Sequence, residues 1–343
     1  MPAPTARPAP RRHPAPTALV LGARGAVGRA TVAELRRLGA EVTTAGRSAP
    51  EPDGLALDVR TAEGRTALRA AAESVDVVIN ATGIEDPRLV DATAGTILVD
   101  ISATAAVLAR MATTFASTEA GSRGLVLGAG IAPGLTTLLV DALDPAPGDE
   151  IDVAIMLGGG EVHGPAAVAW TAELAGRPLH EPGEAGDGPS GEILNFRSSL
   201  RVPEPFGSRR YVRADFPDHL LLGAPRGALV RSWLATDSRV STAALGVVGR
   251  FPALRSLVAR APHLGTSAWS ITAIDRGTGR TLRARGEGQS RTTGVLTAHA
   301  ALAAADRGLR DLATTADLLP LAAVDGLADL RLETPDPVAT PST

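Results

Sequence analysis

One stretch constrains this chain more than any other: LVLGARGAVGRA, from Leu19 to Ala30. An apolar run ends at Gly22, Gly25 and Gly28 follow, and the chain passes into a segment with amphipathic helical spacing, Val27–Leu38. There Val27, Ala30, Leu35 and Leu38 fall largely on one face and Arg29, Glu34 and Arg36 on another, with Gly39 as a C-terminal stop. A strand that turns through three glycines into a helix leaves the first helical N–H groups free for an anion. Gly22 permits the tight turn, Gly25 lets backbone approach a ligand, and Gly28 lets the helix pack closely on the sheet. The spacing is Gly-x-x-Gly-x-x-Gly, a variant of the commoner Gly-x-Gly-x-x-Gly, and its expected occupant is a dinucleotide diphosphate. Gly22, Arg24, Gly25, Ala26, Val27 and Gly28 are therefore expected to hold that ligand.

The surrounding pattern fits. Apolar β-type runs recur at Ala18–Leu21, Val42–Ala45, Leu55–Val59, Val75–Ala81, Ile97–Ile101 and Leu125–Leu127, with helix-like stretches between them. Strands alternating with helices imply βαβ units and a parallel sheet covered on both faces. The expected fold class is α/β, with a doubly wound parallel sheet over residues 17–143 completed by a return helix at 293–310. A second, mixed α/β unit with an antiparallel sheet is expected over 144–292. It should contain a strand at Ile151–Leu157, a helix at Pro165–Leu174 and a hairpin around Arg276–Gly279. Residues 1–16 carry six prolines and three arginines with no apolar core, and read as a disordered tail, as do residues 333–343.

The end of the second strand bears on which dinucleotide is bound. An NAD site usually carries Asp or Glu there, accepting hydrogen bonds from the adenosine ribose. This chain has Gly46, Arg47 and Ser48, with Arg24 in the first loop. A guanidinium matches the oxygens of a 2′-phosphate in a forked contact, whereas a carboxylate would repel it. NADP(H) is the expected cofactor. Asp58 is placed to cap the adenine amino group or to begin the next helix. Asn80, Ala81, Thr82 and Gly83 end the fourth strand near the nicotinamide-side ribose.

Two further strings, LVDIS (Leu98–Ser102) and GAGIAPGLTTLL (Gly128–Leu139), complete a pattern with the glycine loop and the NATG turn. Together they resemble the saccharopine dehydrogenase-like family of NAD(P)-dependent oxidoreductases, well over Thr17–Leu143 and more loosely to about Arg307. The resemblance implies hydride transfer to the C=N bond of a small amino-acid- or polyamine-derived imine. It implies that Ser102, Pro133 and Gly134 border the reacting ring. Two other readings stay open: an enoyl reductase acting on a carrier-bound C=C bond, and a non-catalytic NADP(H) sensor.

Composition narrows the chemistry. The chain has 343 residues and no cysteine, and its 34 basic residues are all arginine. Thiolate nucleophiles, Schiff bases, a P-loop lysine and a Tyr-x-x-x-Lys pair are excluded. So is the lysine acid/base of the lysine-forming members of that family. The proton must come from His, Tyr, a raised-pKa carboxyl group or water. His163, in GGGEVHGPAAVAW, is the first candidate donor, and Tyr211 the second. Trp170, His219 and Arg197 are candidate substrate contacts, with Glu161 behind them. Arg197, Arg201, Arg209, Arg210 and Arg213 form a basic run that is either a pocket for an acidic substrate or a solvated face. A net charge of -3 gives no footprint for nucleic acid, and no apolar run approaches the ~18 residues of a membrane span. The expected setting is cytoplasmic, as a homodimer acting on a small molecule.

Overall fold

The computed structural model describes residues 15–117, 124–160, 165–186, 188, 190–203, 208–254 and 265–334. Two seven-stranded sheets organise them. The first is wholly parallel and is built from β1 (Thr17–Leu21), β2 (Glu41–Gly46), β3 (Leu55–Ala56), β4 (Val77–Asn80), β5 (Ile97–Asp100) and β6 (Gly124–Leu127). Their order, β6-β5-β4-β1-β2-β3, reverses between β1 and β4, and the crevice outside that switch point is where such sheets bind ligands. The third strand is shorter than its apolar run suggested. After Ala56 the chain leaves the sheet for a turn in which the Asp58 carbonyl accepts from Thr61 N–H at 3.0 Å.

Every central strand is buried on both faces. Val20, Val77, Ile79, Val99 and Val126 pack on α1 (Ala26–Arg37) and a long helix, Gln289–Asp306. Leu19, Val78, Leu98, Leu125 and Leu127 pack on α2 (Ala62–Ala72), α3 (Arg88–Ala92) and α4 (Ala105–Ala116). The helix Gln289–Asp306 is the expected return helix, beginning and ending four residues earlier than its sequence bounds. A Cβ at Gly294 would sit 2.6 Å from Ala30 Cβ and 2.7 Å from the Val27 carbonyl, so glycine there sets how closely this helix approaches α1. His299 Nε2 adds a 2.9 Å contact to Glu34, which also holds Arg37.

The second sheet is mixed: β7 (Glu150–Leu157), β8 (Ser199–Val202), β9 (Arg209–Arg213), β10 (Leu229–Thr236), β11 (Ala268–Asp275) and β12 (Thr281–Glu287). β7 and β10 run parallel, and β11 and β12 form the expected hairpin. Alternation gives the sheet two faces. Val153, Ile155, Val212, Leu234 and Ile271 pack on α5 (Leu135–Ala142) and Leu296, toward the first sheet. Ala154, Tyr211, Trp233 and Ala235 form a separate cluster on the other face.

β8, β9 and β10 escaped the sequence reading, as did two short strands near the end of the chain. β13 (Leu312–Thr314) adds a seventh parallel strand beside β6, and β14 (Arg331–Glu333) pairs with β12. Glu333 is therefore in the fold, bound to Arg285, and not in a tail; residues 1–14 and 335–343 lie outside the described residues. Among the described residues no helix is long and apolar enough to cross a membrane, and no group of three His, Cys, Asp or Glu could hold a metal ion.

Candidate functional site

The glycine loop is dictated by backbone contact. Gly22 has φ +79°, and a Cβ there would lie 2.6 Å from the Ala81 carbonyl oxygen. At Gly28 it would lie 2.2 Å from the Gly22 oxygen. Gly25 differs: its Cβ would meet only the Gly22 oxygen at 3.3 Å and the Ala81 oxygen at 3.9 Å. The loop's glycines thus bring β1, α1 and the end of β4 together while leaving Gly25 open. Gly25 is also the N-cap of α1, with no side chain capping the helix, so the first-turn N–H groups of Ala26, Val27 and Gly28 remain for a ligand.

Beside the loop lies a cleft of about 400 Å³ lined by Gly22, Arg24, Gly25, Gly46, Arg47, Ser48, Asp58, Arg60, Ala81 and Thr82, among others. Arg24 reaches across it: one Nη donates to Ser48 Oγ at 2.7 Å and the other to the Ala49 carbonyl at 2.6 Å. Arg47 and Ser48 are exposed at its mouth. Asp58 neither begins α2, whose N-cap is Thr61, nor stands free for an adenine. Its carboxylate accepts from Arg60 Nε at 2.9 Å and Arg60 N–H at 3.1 Å, and that pairing, helped by Arg47, lowers it to about 2. The cleft's one acidic side chain is neutralised by its neighbour. Arg60 escaped the sequence reading because the third strand was drawn through Val59, which would have placed residue 60 beyond the sheet edge.

At the end of β4, expected to face the nicotinamide, Asn80 proves to be engaged with its own turn. Its Nδ2 donates to Asp100 Oδ2 at 2.7 Å and to the Ile84 carbonyl at 3.0 Å, and its Oδ1 accepts from Thr82 Oγ1 at 2.7 Å. Asn80 is corrected from a ligand contact to the residue that shapes the Ala81–Gly83 turn. Gly83, with φ +71°, is part of that turn and does not line the cleft. Asp100, fully buried, also accepts from Ser102 N–H at 2.7 Å, and burial pushes its carboxyl upward. Pro133 and Gly134 lie in the Gly128–Gly134 loop after β6, where a Cβ at Gly134 would meet the Gly130 oxygen at 2.1 Å.

The catalytic and substrate candidates fare unevenly. His163 and Glu161 lie outside the described residues. Tyr211 is fully buried on the sheet face turned away from α5, clustered with Val202 and Trp233, so it is withdrawn as a cleft donor. His219 is buried with both ring nitrogens against carbonyls, Nδ1 at 3.0 Å from Phe216 and Nε2 at 2.6 Å from His180, which makes it a bracket within the fold. Trp170 does stand at the junction: its Nε1 donates to Thr104 Oγ1 at 3.0 Å just before α4, and its ring lies 5.1 Å from Phe216. Arg197 is half-buried and its Nε has no partner among the described residues. The basic run divides. Arg213 is buried over Trp233 with Glu184, Arg209 donates to the Thr236 and Asp237 carbonyls, and Arg201 and Arg210 face each other, exposed, across β8 and β9.

Asp218 and Asp215 are among the buried carboxyl groups that the sequence reading did not single out. Asp218 sits between α5 and β10, accepting from Ser232 Oγ at 3.2 Å; the Thr136 hydroxyl faces it without regular hydrogen-bond geometry. Asp215 accepts from His180 N–H at 3.2 Å. Burial raises each to about 6. A carboxyl group raised on folding stabilises the folded state fully below its unfolded value near 4, and that contribution is lost as pH rises through 6. Asp218→Asn should therefore gain stability relative to the parent between pH 4 and pH 7, by on the order of 2–3 kcal/mol. Urea melts across that range check it, and parallel stability curves for the two proteins would rule it out.

Residues 18–128 match the profile of the NAD dependent epimerase/dehydratase family. That span is the glycine loop and the first six strands, so the chain carries an NAD(P)-binding domain. No curated protein matches. Among solved structures, an engineered D-amino acid dehydrogenase bound to NADP+ is 14% identical, with TM-score 0.45 over 92% of this chain and 98% of that one. A mutant meso-dapdh with DAP from Clostridium tetani is 10% identical, with TM-score 0.43 over 90% and 96%. The WlbA dehydrogenase of Thermus thermophilus with NAD and UDP-GlcNAcA is 13% identical, with TM-score 0.38 over 94% and 97%.

Proposed function

We propose that this NAD(P)-dependent oxidoreductase uses NADPH to reduce the C=N bond of a small amino-acid- or polyamine-derived imine, in the manner of the saccharopine dehydrogenase-like enzymes its motifs resemble. The observation that carries the cofactor choice is the charge of the adenosine cleft. Arg24, Arg47 and Arg60 line it, and its single carboxylate, Asp58, is spent on Arg60. Arg47 makes no hydrogen bond or ion pair to any described residue, and it is the guanidinium free to grip a 2′-phosphate. Arg24, braced on Ser48 and Ala49, fixes the opposite wall. When bound, the cofactor supplies a hydride from its nicotinamide ring. The glycine loop and the first turn of α1 hold the diphosphate, while the turn set by Asn80 and the Ser102 and Pro133–Gly134 backbone border the ring. Trp170, on the helix Pro165–Leu174, stands at that edge through its bond to Thr104. The chain is proposed to work as a cytoplasmic homodimer.

Arg47→Asp should lower the preference for NADPH over NADH by on the order of 100-fold, two charge-assisted contacts at ~1.5 kcal/mol each. Fluorescence titration with both dinucleotides measures the ratio, and an unchanged ratio removes the NADP assignment. NADPH oxidation in the presence of cyclic and acyclic imines tests the reaction itself. Tight NADPH binding without turnover of any of them would turn the reading toward a sensor.

A further inference from the structure

The segment after β9 crosses the junction between the two sheets along the carboxyl edge of β5 and β6. At one end Phe216 packs at a tilt against Trp170, which is bonded to Thr104 beyond β5. At the other, Leu221 lies 2.9 Å from where a Cβ of Gly128 would stand, just past β6. β5 and β6 are neighbours, so this segment lies against the part of the sheet that borders the nicotinamide. Within it, Asp215 is 94% buried by its 6% exposure, and its Oδ1 accepts no hydrogen bond from any described residue. The group is held from behind: its N–H donates to Asn195 Oδ1 at 2.8 Å and its Oδ2 accepts from His180 N–H. A buried, unpartnered carboxyl oxygen is costly, and such atoms mark functional positions more often than defects.

We propose that Asp215 is the proton donor of the reduction, delivering its carboxyl proton to the nitrogen of the C=N bond. The inference rests on the imine-reductase reading. The carbon of that bond receives hydride from the reduced nicotinamide and the nitrogen receives the Asp215 proton. C=N becomes CH–NH, the dinucleotide is left oxidised, and the Asp215 carboxylate takes a proton from solvent before the next turn. Burial keeps the acid protonated up to about pH 6, against the pull of Arg213. The other charged or titratable groups around it are His180, His219, Asp218 and, through Arg213, Glu184. Asp218 accepts from Ser232 between α5 and β10 and also has an unpartnered Oδ1, but Asp215 is the one that adjoins Phe216 and its contact with Trp170.

The test uses the full chain with 1-pyrroline-2-carboxylate and NADPH. Asp215→Asn should bind NADPH within twofold of the parent by fluorescence and lose at least ~100-fold in turnover. The parent rate should fall as pH rises through about 6. Asp215→Glu should recover part of the rate with a displaced pH limb, and Asp215→Asn should show no limb. Independently of turnover, infrared titration of the parent should show protonated carboxyl absorption from Asp215 and Asp218 fading near that pH, of which Asp215→Asn should lose the Asp215 share and Asp218→Asn the other. An Asn variant within threefold of the parent, with the same pH limb, overturns the assignment and leaves the reductase reading intact. A parent that binds NADPH and never reduces the imine overturns both.

Discussion

Valine at position 28 is expected to eliminate dinucleotide binding. The Cβ it adds falls 2.2 Å from the Gly22 carbonyl oxygen and 2.9 Å from Ala23 Cα, both backbone atoms that no rotamer change can move. The start of α1 must therefore lift from the β1 turn, carrying the Ala26–Gly28 N–H groups away from the diphosphate. Overpacking of this kind costs ~1–3 kcal/mol in stability. The loss in NADPH affinity should exceed about 100-fold, equal to ~2.7 kcal/mol. Gly246→Ala is the matched control, since its Cβ would meet only Val212 Cγ1 at 3.8 Å. Retained NADPH binding by Gly28→Val, measured by fluorescence against that control, would show that the loop is not the diphosphate cradle.

The second large effect is expected at Asp100. Leucine there leaves the Ser102 N–H without its acceptor and removes one of the two partners of the Asn80 amide, in a place with no access to water. Breaking a buried network by removing one member costs ~2–5 kcal/mol. The same change loosens the Asn80–Ile84 turn against which Gly22 packs, so NADPH binding should weaken with stability. Asparagine keeps one acceptor and should fall between. Chemical denaturation of the three proteins gives the order, and a leucine variant as stable as the parent would mean the network contributes nothing.

How much of this was legible beforehand differs by element. Periodicity located β1, α1, β7, the helix Pro165–Leu174 and the Arg276–Gly279 turn because each is a local pattern whose neighbours in sequence are its neighbours in space. The glycine triplet was legible for the same reason: three residues within one turn report one backbone geometry. β13 was not, since three residues carry no period of their own and Leu312–Thr314 become a strand only by pairing with Leu125–Leu127. Tyr211 shows the opposite failure. Aromatic, basic and apolar residues mixed in one run resembled a wall, but strand alternation sent Tyr211 to one face and Val212 to the other. Asp215 and Asp218 carried no signal at all, because their burial comes from chain segments that meet only after folding. Asp58 lines the cleft beside the glycine loop but is paired with Arg60, two residues away and easily read as a surface charge.

The return helix and β13 have a bearing on how this protein is made. The first sheet's face over Val20, Val77 and Ile79 is covered by α1 together with residues 289–306, and β6 gains its outer neighbour from residues 312–314. The nucleotide-binding half begins near residue 17, yet its last structural part leaves the ribosome nearly three hundred residues later. For the time needed to synthesise the intervening chain, about 15–60 s at elongation rates of ~5–20 residues per second, the nascent protein presents a half-covered apolar face and an open parallel strand edge. The second sheet is completed in the same final stretch, when β14 docks on β12. Both halves therefore close together and late, and a chain cut anywhere before residue 314 should be a client for chaperones and not a smaller working protein.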